Sequence, residues 1–435
     1  MFRFILSLTI LLLTAPVGVV FAQTPLDQSK EAPQEKHSLQ SLIDRALTQS
    51  ELLKSSKLRT EEKRFSAQQA KAWQNPEIGI SGGRKQSSPQ DPQESTKSGL
   101  IYEASISQPF FFPGKQKLRG EIGNLEADIA QVKANEMELL IATDVMRLSY
   151  EYEIIQRKKD LAENRQKRFE LIQTYLSGHV FASPQQRAER LIVERRVHNL
   201  ATEALRFRAA LKAAYEKLNL YVAWEKEATP QIEVPWLEGA RELEKSAWST
   251  LVQERNFNLL SQRLLVLSAE KENRLAKRQN IPDFSIFGSY AQEKAGDTEQ
   301  FLTGGISFPI PIFNQNRGGI KSSARRIEAE SALLRFNEQQ LQSQLGQLYG
   351  EYQVARETVT HYPEVALATL ENQLRDMERE FRKGRVNLIT FLELDSEVGE
   401  TYERTLDAQL NLLDKLLALS FLAGDRDFIS RISEF

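Results

Sequence analysis

Nearly the same short stretch occurs twice in this chain, 200 positions apart: Ile106-Ser107-Gln108-Pro109-Phe110 and Ile306-Ser307-Phe308-Pro309-Ile310. Each copy closes a pair of short alternating segments and opens a very long helical pattern. Around these anchors Asn75-Pro76-Glu77-Ile78 matches Ile281-Pro282-Asp283-Phe284, and Gly178-His179-Val180 matches Gly384-Arg385-Val386, both 206 positions apart. The chain is a duplication. A unit of two strands and two long helices cannot enclose a conventional core alone, so the repeat points toward assembly.

The helical pattern is of coiled-coil type. From Lys115 to about Tyr175 there is no proline, and apolar residues recur at Leu118, Leu125, Val132, Leu139 and Met146, the heptad stripe of a helix seated on a neighbour. In the second copy Ile320, Ile327, Leu334, Leu341 and Leu348 form one seam, and Leu345, Tyr352 and Val359 a second, which implies two neighbours. A helix of about 60 residues is roughly 90 Å long at 1.5 Å per residue, so it must span something. Each long helix stops at a glycine turn, Gly178 or Gly384, and is followed by another amphipathic helix, one starting at Pro184 and running to about Tyr221, the other ending at Leu422. Two further helices are expected from Leu39 to about Trp73 and from Leu243 to about Gln279, making six long segments. Pro363 should interrupt the fifth. From anchor to glycine turn the copies differ by six residues, 72 against 78, which is not a heptad and must be absorbed locally.

The alternating segments have strand period. Phe284, Ile286, Gly288 and Tyr290 share one face against Ser285, Phe287 and Ser289, and Tyr102, Ala104 and Ile106 oppose Glu103, Ser105 and Ser107. Strands are expected at about 77–85, 100–110, 283–291 and 301–310, each of about 9 to 11 residues, the length with which a tilted strand crosses a bilayer. The segments Arg84 to Ser98 and Glu293 to Gln300 are polar and suit exposed hairpin loops. Trp73, Phe110, Phe111, Phe112, Phe308 and Phe313 gather at the strand ends, where a membrane protein carries its interfacial aromatic belt. Four strands cannot close a barrel and a membrane tolerates no open edge, so other copies must complete the sheet. Three copies supply twelve strands.

The ends and composition agree. Arg3, the apolar run Phe4 to Leu13 and Val20-Phe21-Ala22 read as a cleaved secretory signal, with Pro16 and Gly18 arguing against a retained anchor. The organisation expected is a signal peptide at 1–22, a polar leader at 23–38, a first repeat at 39–222, a linker at 223–240 containing Pro230, Pro235 and an exposed-looking Trp236, a second repeat at 241–424, and a tail at 425–435. The chain has no cysteine, hence neither disulfides nor a lipidated N-terminal cysteine. With 57 basic and 59 acidic residues its formal charge is −2, which offers nucleic acid no electrostatic footing. His37, His179, His198 and His361 lack metal-ligand spacing and no phosphate-binding Gly-x-x-x-x-Gly-Lys loop is present, so neither catalysis nor a cofactor is expected. The fold class is mainly α with a small transmembrane β part: coiled-coil hairpins forming an α-barrel, and four strands per chain in a trimeric 12-stranded β-barrel.

From Leu39 to Gly424 this pattern resembles the TolC-type outer membrane efflux proteins. The stretches Gln108 to Lys115 and Phe308 to Gly318 are similar to the strand-to-helix junctions of the heavy-metal branch, the CzcC and CusC type. The resemblance implies a homotrimeric exit duct, with a barrel in outer-membrane lipid and a helical tube across the periplasm. Its implied partners are a periplasmic adaptor (membrane fusion protein) and an inner-membrane efflux pump of RND type, and its cargo would include heavy-metal cations. It also implies that the glycine turns are adaptor-docking tips, formed here by Tyr175, Gly178 and Val180 and by Phe381, Gly384 and Val386. A channel gate of acidic side chains would follow the second tip, where Thr390 and Glu393 match and Asp395 lies close by, so only one acid is kept. The alternative is a soluble or surface coiled-coil scaffold with no transport role.

Overall fold

The computed structural model describes residues 36–87, 95–178, 183–224, 230–237, 244–295 and 297–428, without the side chains of 364–366. The signal segment, most of the leader, the tail beyond 428 and Val180 lie outside the described residues.

The longest element, α3 (Lys115–Ser177), runs 63 residues without a break. Leu118, Leu125, Leu139 and Met146 of its heptad stripe are buried. Its hairpin partner is α4 (Pro184–Val222), which begins with a capping box: Ser183 Oγ accepts the Gln186 N–H while the Gln186 side chain accepts the Ser183 N–H. In the second repeat the corresponding helix is interrupted at Pro363 into α7 (Arg317–His361) and α8 (Glu364–Arg382), followed by α9 (Leu388–Ala423).

The two helices expected before the strand pairs are each two helices, because a polar residue caps a new start inside each. The first divides into α1 (Leu39–Gln49) and α2 (Glu51–Ala70), where Ser50 accepts the Leu53 N–H at 3.2 Å. The second divides into α5 (Lys245–Arg255) and α6 (Phe257–Arg278). There the Asn256 carboxamide accepts from Leu259 N at 2.9 Å and donates to Leu422 O at 2.8 Å. A cap that is also a tertiary contact outweighs the continuity of the pattern.

Strands β2 (Glu77–Ser87), β3 (Lys97–Phe110), β5 (Phe284–Ala295) and β6 (Asp297–Ser307) form one antiparallel sheet in that order. β6 lies about three residues earlier than the pattern placed it, because Pro309 and Pro311 cannot extend the ladder. Two three-residue strands were not expected at all: β1 (Lys36–Ser38), at the end of the polar leader, pairs in parallel with β4 (Gln231–Glu233) of the linker. The described part of the linker, residues 230–237, therefore packs against the helices, at the middle of α3 and on α9. Ile232 and Leu237 are buried, Tyr150 Oη donates to Pro235 O at 2.7 Å, and Leu237 N donates to Gln409 Oε1 at 3.1 Å. Trp236 is half-buried beneath the Arg157 guanidinium, not exposed.

The duplication is in register two residues away from where the Ile-Ser-x-Pro match suggests. Gly79 pairs with Ser105 in the first hairpin and Ser285 with Ser307 in the second, so the first strands of the two hairpins, β2 and β5, correspond at 206 positions and the second strands, β3 and β6, at 202. Gly114 and Asn316, both left-handed, precede α3 and α7 and are also 202 apart. A slip of two keeps every side chain on its face, which is why it is invisible in the pattern. From these caps to the glycine turns the copies span 64 and 68 residues. The difference is about one helical turn, which keeps the apolar seam on its side.

Side-by-side packing has one order throughout. The sheet runs β2, β3, β5, β6; beside it α2, α3, α6 and α7 pack in sequence; farther along, α4, α3, α9 and then α7 or α8 do so. One margin of the molecule always belongs to the first repeat and the other always to the second. Replacing Asn256 with Ala removes a cap and a buried tertiary bond together; a loss of about 1–3 kcal/mol is expected in denaturant titration, whereas an uninterrupted helix at this point would show no loss.

Candidate functional site

The sheet has two chemically different faces, and the strand register defines them. Ile78, Ile80, Leu100, Tyr102, Ile106, Ile286, Tyr290, Leu302 and Ile306 all lie on one face and are all exposed. The opposite face carries Ser81, Lys85, Glu103, Ser105, Ser289, Glu293 and Thr303, where Lys85 forms an ion pair with Glu293, together with three larger apolar residues, Ile101, Phe287 and Phe301. Strand alternation thus yields one apolar face and one mainly polar face, the division found in the strands of water-filled barrels. Among the described residues no helix is long and apolar enough to cross a membrane.

At the strand ends the six aromatics divide by repeat. Phe110 stacks on Phe284 at 5.4 Å and meets Trp73 edge-on at 5.9 Å, and Phe111 lies under the Arg119 guanidinium. Phe112 is half-buried and its N–H donates to Asp283 Oδ1 at 2.7 Å. The same carboxylate takes the buried Lys115 ammonium at 2.8 Å, which also donates to Ile281 O at 2.6 Å. This knot between the two repeats holds the start of α3 beneath the sheet, and its non-local partners explain why the sequence concealed it. Trp73 keeps most of its surface exposed, and in the second repeat Phe308 is exposed and Phe313 is 100% exposed.

The tips differ from each other. Gly384 has φ +70; its N–H donates to Phe381 O and the Arg385 N–H to Glu380 O, so α8 closes in a Schellman turn that demands glycine. Gly178 has φ −72, an ordinary right-handed value, and a Cβ there would meet only Tyr175 O at 3.6 Å. Helix termination therefore does not require glycine at 178. Phe381 stacks on the buried Phe391 at 5.4 Å, and Val386 packs with it in the tip core with Phe169 and Leu388. Both are core residues first. Exposed apolar side chains at this end are Tyr175, Leu171, Leu191, Ile192 and Ile389; four of these five escaped the sequence reading because isolated apolar residues on amphipathic helices carry no distinct signal.

Of the three gate residues, Thr390 and Glu393 are exposed on α9 and Asp395 is 0% exposed. This corrects the grouping: two residues turn a helix by about 200°, so Glu393 and Asp395 cannot face the same way. Three arginines from two other helices converge on Asp395. Arg165 Nη2 reaches Oδ2 at 2.7 Å and the Asp395 carbonyl at 3.1 Å, Arg196 Nη2 reaches Oδ2 at 3.1 Å, and Arg168 Nη1 reaches Oδ1 at 3.3 Å. Gly399 makes the room, since a Cβ there would strike Arg165 at 2.4 Å. Two turns farther along α9, the half-buried Glu403 faces Glu203 of α4 within hydrogen-bonding reach. Burial, and then repulsion by Glu203, pushes the Glu403 carboxyl above its usual range against the pull of Lys158 and Arg165. Among the described residues no three His, Cys, Asp or Glu side chains are placed to hold a metal ion.

These networks predict opposite responses. Asp395→Asn leaves the guanidinium cluster uncompensated and should cost about 3–5 kcal/mol in denaturant titration; an unchanged midpoint would contradict the node. Because the folded-state affinity of Glu403 for its proton is raised, its stabilising contribution is full below the ordinary glutamate range and is lost as pH rises through the raised value. Glu403→Gln should accordingly raise the melting midpoint at about pH 8 and change it little at about pH 4. Equal effects at both would refute the raised proton affinity of Glu403.

Comparison with known proteins agrees with this geometry. Residues 42–173 and 248–425, well over half of the chain, match the family model described as outer membrane efflux protein. No curated protein matches the sequence. Among solved structures, CusC, studied for conformational changes accompanying folding and transmembrane channel formation, superposes with a TM-score of 0.71 at 14% identity, covering 89% of this chain and 92% of its own. The outer membrane protein VceC of Vibrio cholerae gives 0.66 at 15% identity, covering 89% and 96%. The open state of the Neisseria gonorrhoeae MtrE outer membrane channel gives 0.67 at 14%, covering 89% and 88%. At such identities the superpositions establish the fold; with the matched family model, they show that this chain belongs to the outer membrane efflux protein family.

Proposed function

We propose that three copies of this chain form the exit duct of a tripartite efflux system, conducting substrate passively from an inner-membrane pump, through a periplasmic adaptor, to the cell exterior. The observation that carries this is the sheet: one apolar face, one polar face, and two outer strands, β2 and β6, with free edges. Three four-stranded sheets joined edge to edge give a twelve-stranded barrel with its apolar face toward outer-membrane lipid and its polar face toward the lumen. The constant lateral order of helices lets the same rotation close the helical tube into the periplasm. Energy must come from the pump.

The tips are the proposed adaptor-docking surface, with Tyr175, Gly178 and Gly384 at their ends and Phe381 and Val386 supporting them from within; Val180, next to the first tip in sequence, is proposed to join it. The proposed gate consists of Thr390 and Glu393; repeated threefold, the carboxylate would favour cations, in keeping with a heavy-metal cargo and an RND-type pump. The competing scaffold reading leaves the apolar face of the sheet without an occupant.

Incorporation into planar bilayers decides between them. Discrete, long-lived conductance with cation preference is expected, and Glu393→Gln should reduce that preference without abolishing conductance. A protein that stays soluble without detergent and never inserts would overturn the duct. Gly178 separates docking from folding: a bulky Gly178→Trp should leave the melting midpoint unchanged while lowering cross-linking to a co-expressed adaptor. Unchanged cross-linking would remove Gly178 from the docking surface.

A further inference from the structure

The knot between Lys115 and Asp283 has a structural counterpart in this sequence whose two halves lie at opposite margins of one chain. Applying the correspondence of 202 positions carries Lys115 to Arg317, and that of 206 carries Asp283 to Glu77. A cation again stands at the first position of a long helix, one residue after a left-handed cap, and an acid again stands at the start of the first strand of a hairpin. Arg317 and Glu77 are both exposed, and among the described residues neither has an ion-pair partner. We propose that Arg317 of one copy pairs with Glu77 of the next, so that the collar beneath the barrel is closed by the same knot within chains and between them.

The surroundings correspond as well. The stacked Phe110 and Phe284 map to Ile312 and Ile78, and the Arg119–Phe111 contact maps to Lys321 and Phe313. In the first repeat the junction is half-buried because the second repeat covers it; in the second, Phe308, Ile310, Ile312 and Phe313 are exposed. The element that covers the first junction is the beginning of β5, and its equivalent is the beginning of β2, which within one chain lies at the far margin. Only a second copy can bring it there. The Asn314 N–H, equivalent to that of Phe112, is then placed to donate to the Glu77 carboxylate, and both ionic side chains are long enough to reach across a joint between separate chains. This pairing rests on the trimeric reading above and specifies its contact.

The full-length protein in mild detergent tests it. Because the chain has no cysteine, Glu77→Cys combined with Arg317→Cys can be linked by a short bismaleimide only at those positions; covalent dimers and trimers are expected on a denaturing gel, and neither single variant should give them. Glu77→Arg and Arg317→Glu should each lower the trimer fraction by about tenfold, with the double reversal restoring it. A wild-type trimer that shows neither cross-linking nor sensitivity to reversal would overturn the pair and leave the trimer standing. A wild-type monomer would overturn the assembly itself. Should a reversal prevent folding, the cysteine pair, small and neutral, still decides.

Discussion

The free backbone groups along β2 and β6 constrain everything else in this protein. In water a strand edge is solvated at no great cost, but in hydrocarbon each unpaired N–H or C=O costs several kcal/mol, and about a dozen residues line each edge. Side-chain packing cannot offset a penalty that repeats along the strand. The edges must meet, and since each chain offers one from each repeat, the joint is heterologous and must close on itself. The helices keep the same lateral order, so in the proposed trimer the barrel and the tube are consequences of a single rotation. The apolar face is then a solvent-facing surface whose solvent is lipid, and its exposure in one chain is no anomaly.

Charge is used in two distinct ways. On the surface, interspersed ion pairs between exposed side chains contribute little individually. At Asp395, by contrast, one buried carboxylate from α9 gathers guanidinium groups of α3 and α4. Such a cluster adds little net stability over an apolar core but makes the loss of any member expensive, and it fixes the angle at which the helices meet. Glu393, two residues earlier and on the other side of the helix, has no such partners. Its neighbour in sequence is a fastener, while Glu393 itself is exposed and, in the proposed trimer, available to the lumen.

Most of the fold was legible because long elements leave periodic traces. The seams at Leu118 to Met146 and Leu341 to Val359, the alternation around Ile106 and Ile286, and the interruption at Pro363 all follow from local chemistry. What was hidden depends on partners distant in sequence or on patterns shorter than a period. Three-residue strands β1 and β4 have no detectable alternation; Ser50 and Asn256 read as ordinary polar positions until their bonds are seen; and a two-residue slip between repeats preserves every face. At the candidate sites residue types were readable but directions were not. Asp395 resembled Glu393 in chemistry and proximity, and Gly178 resembled Gly384, yet helix geometry sends the first pair apart and backbone torsion distinguishes the second.

The central claim is that complementary margins close a ring of fixed size. Native mass spectrometry of the purified protein released from detergent micelles measures that size directly. A single species of three chains is expected, persisting on dilution until the chains dissociate together. A folded monomer, or an open series of oligomers growing with concentration, would contradict ring closure and with it the duct.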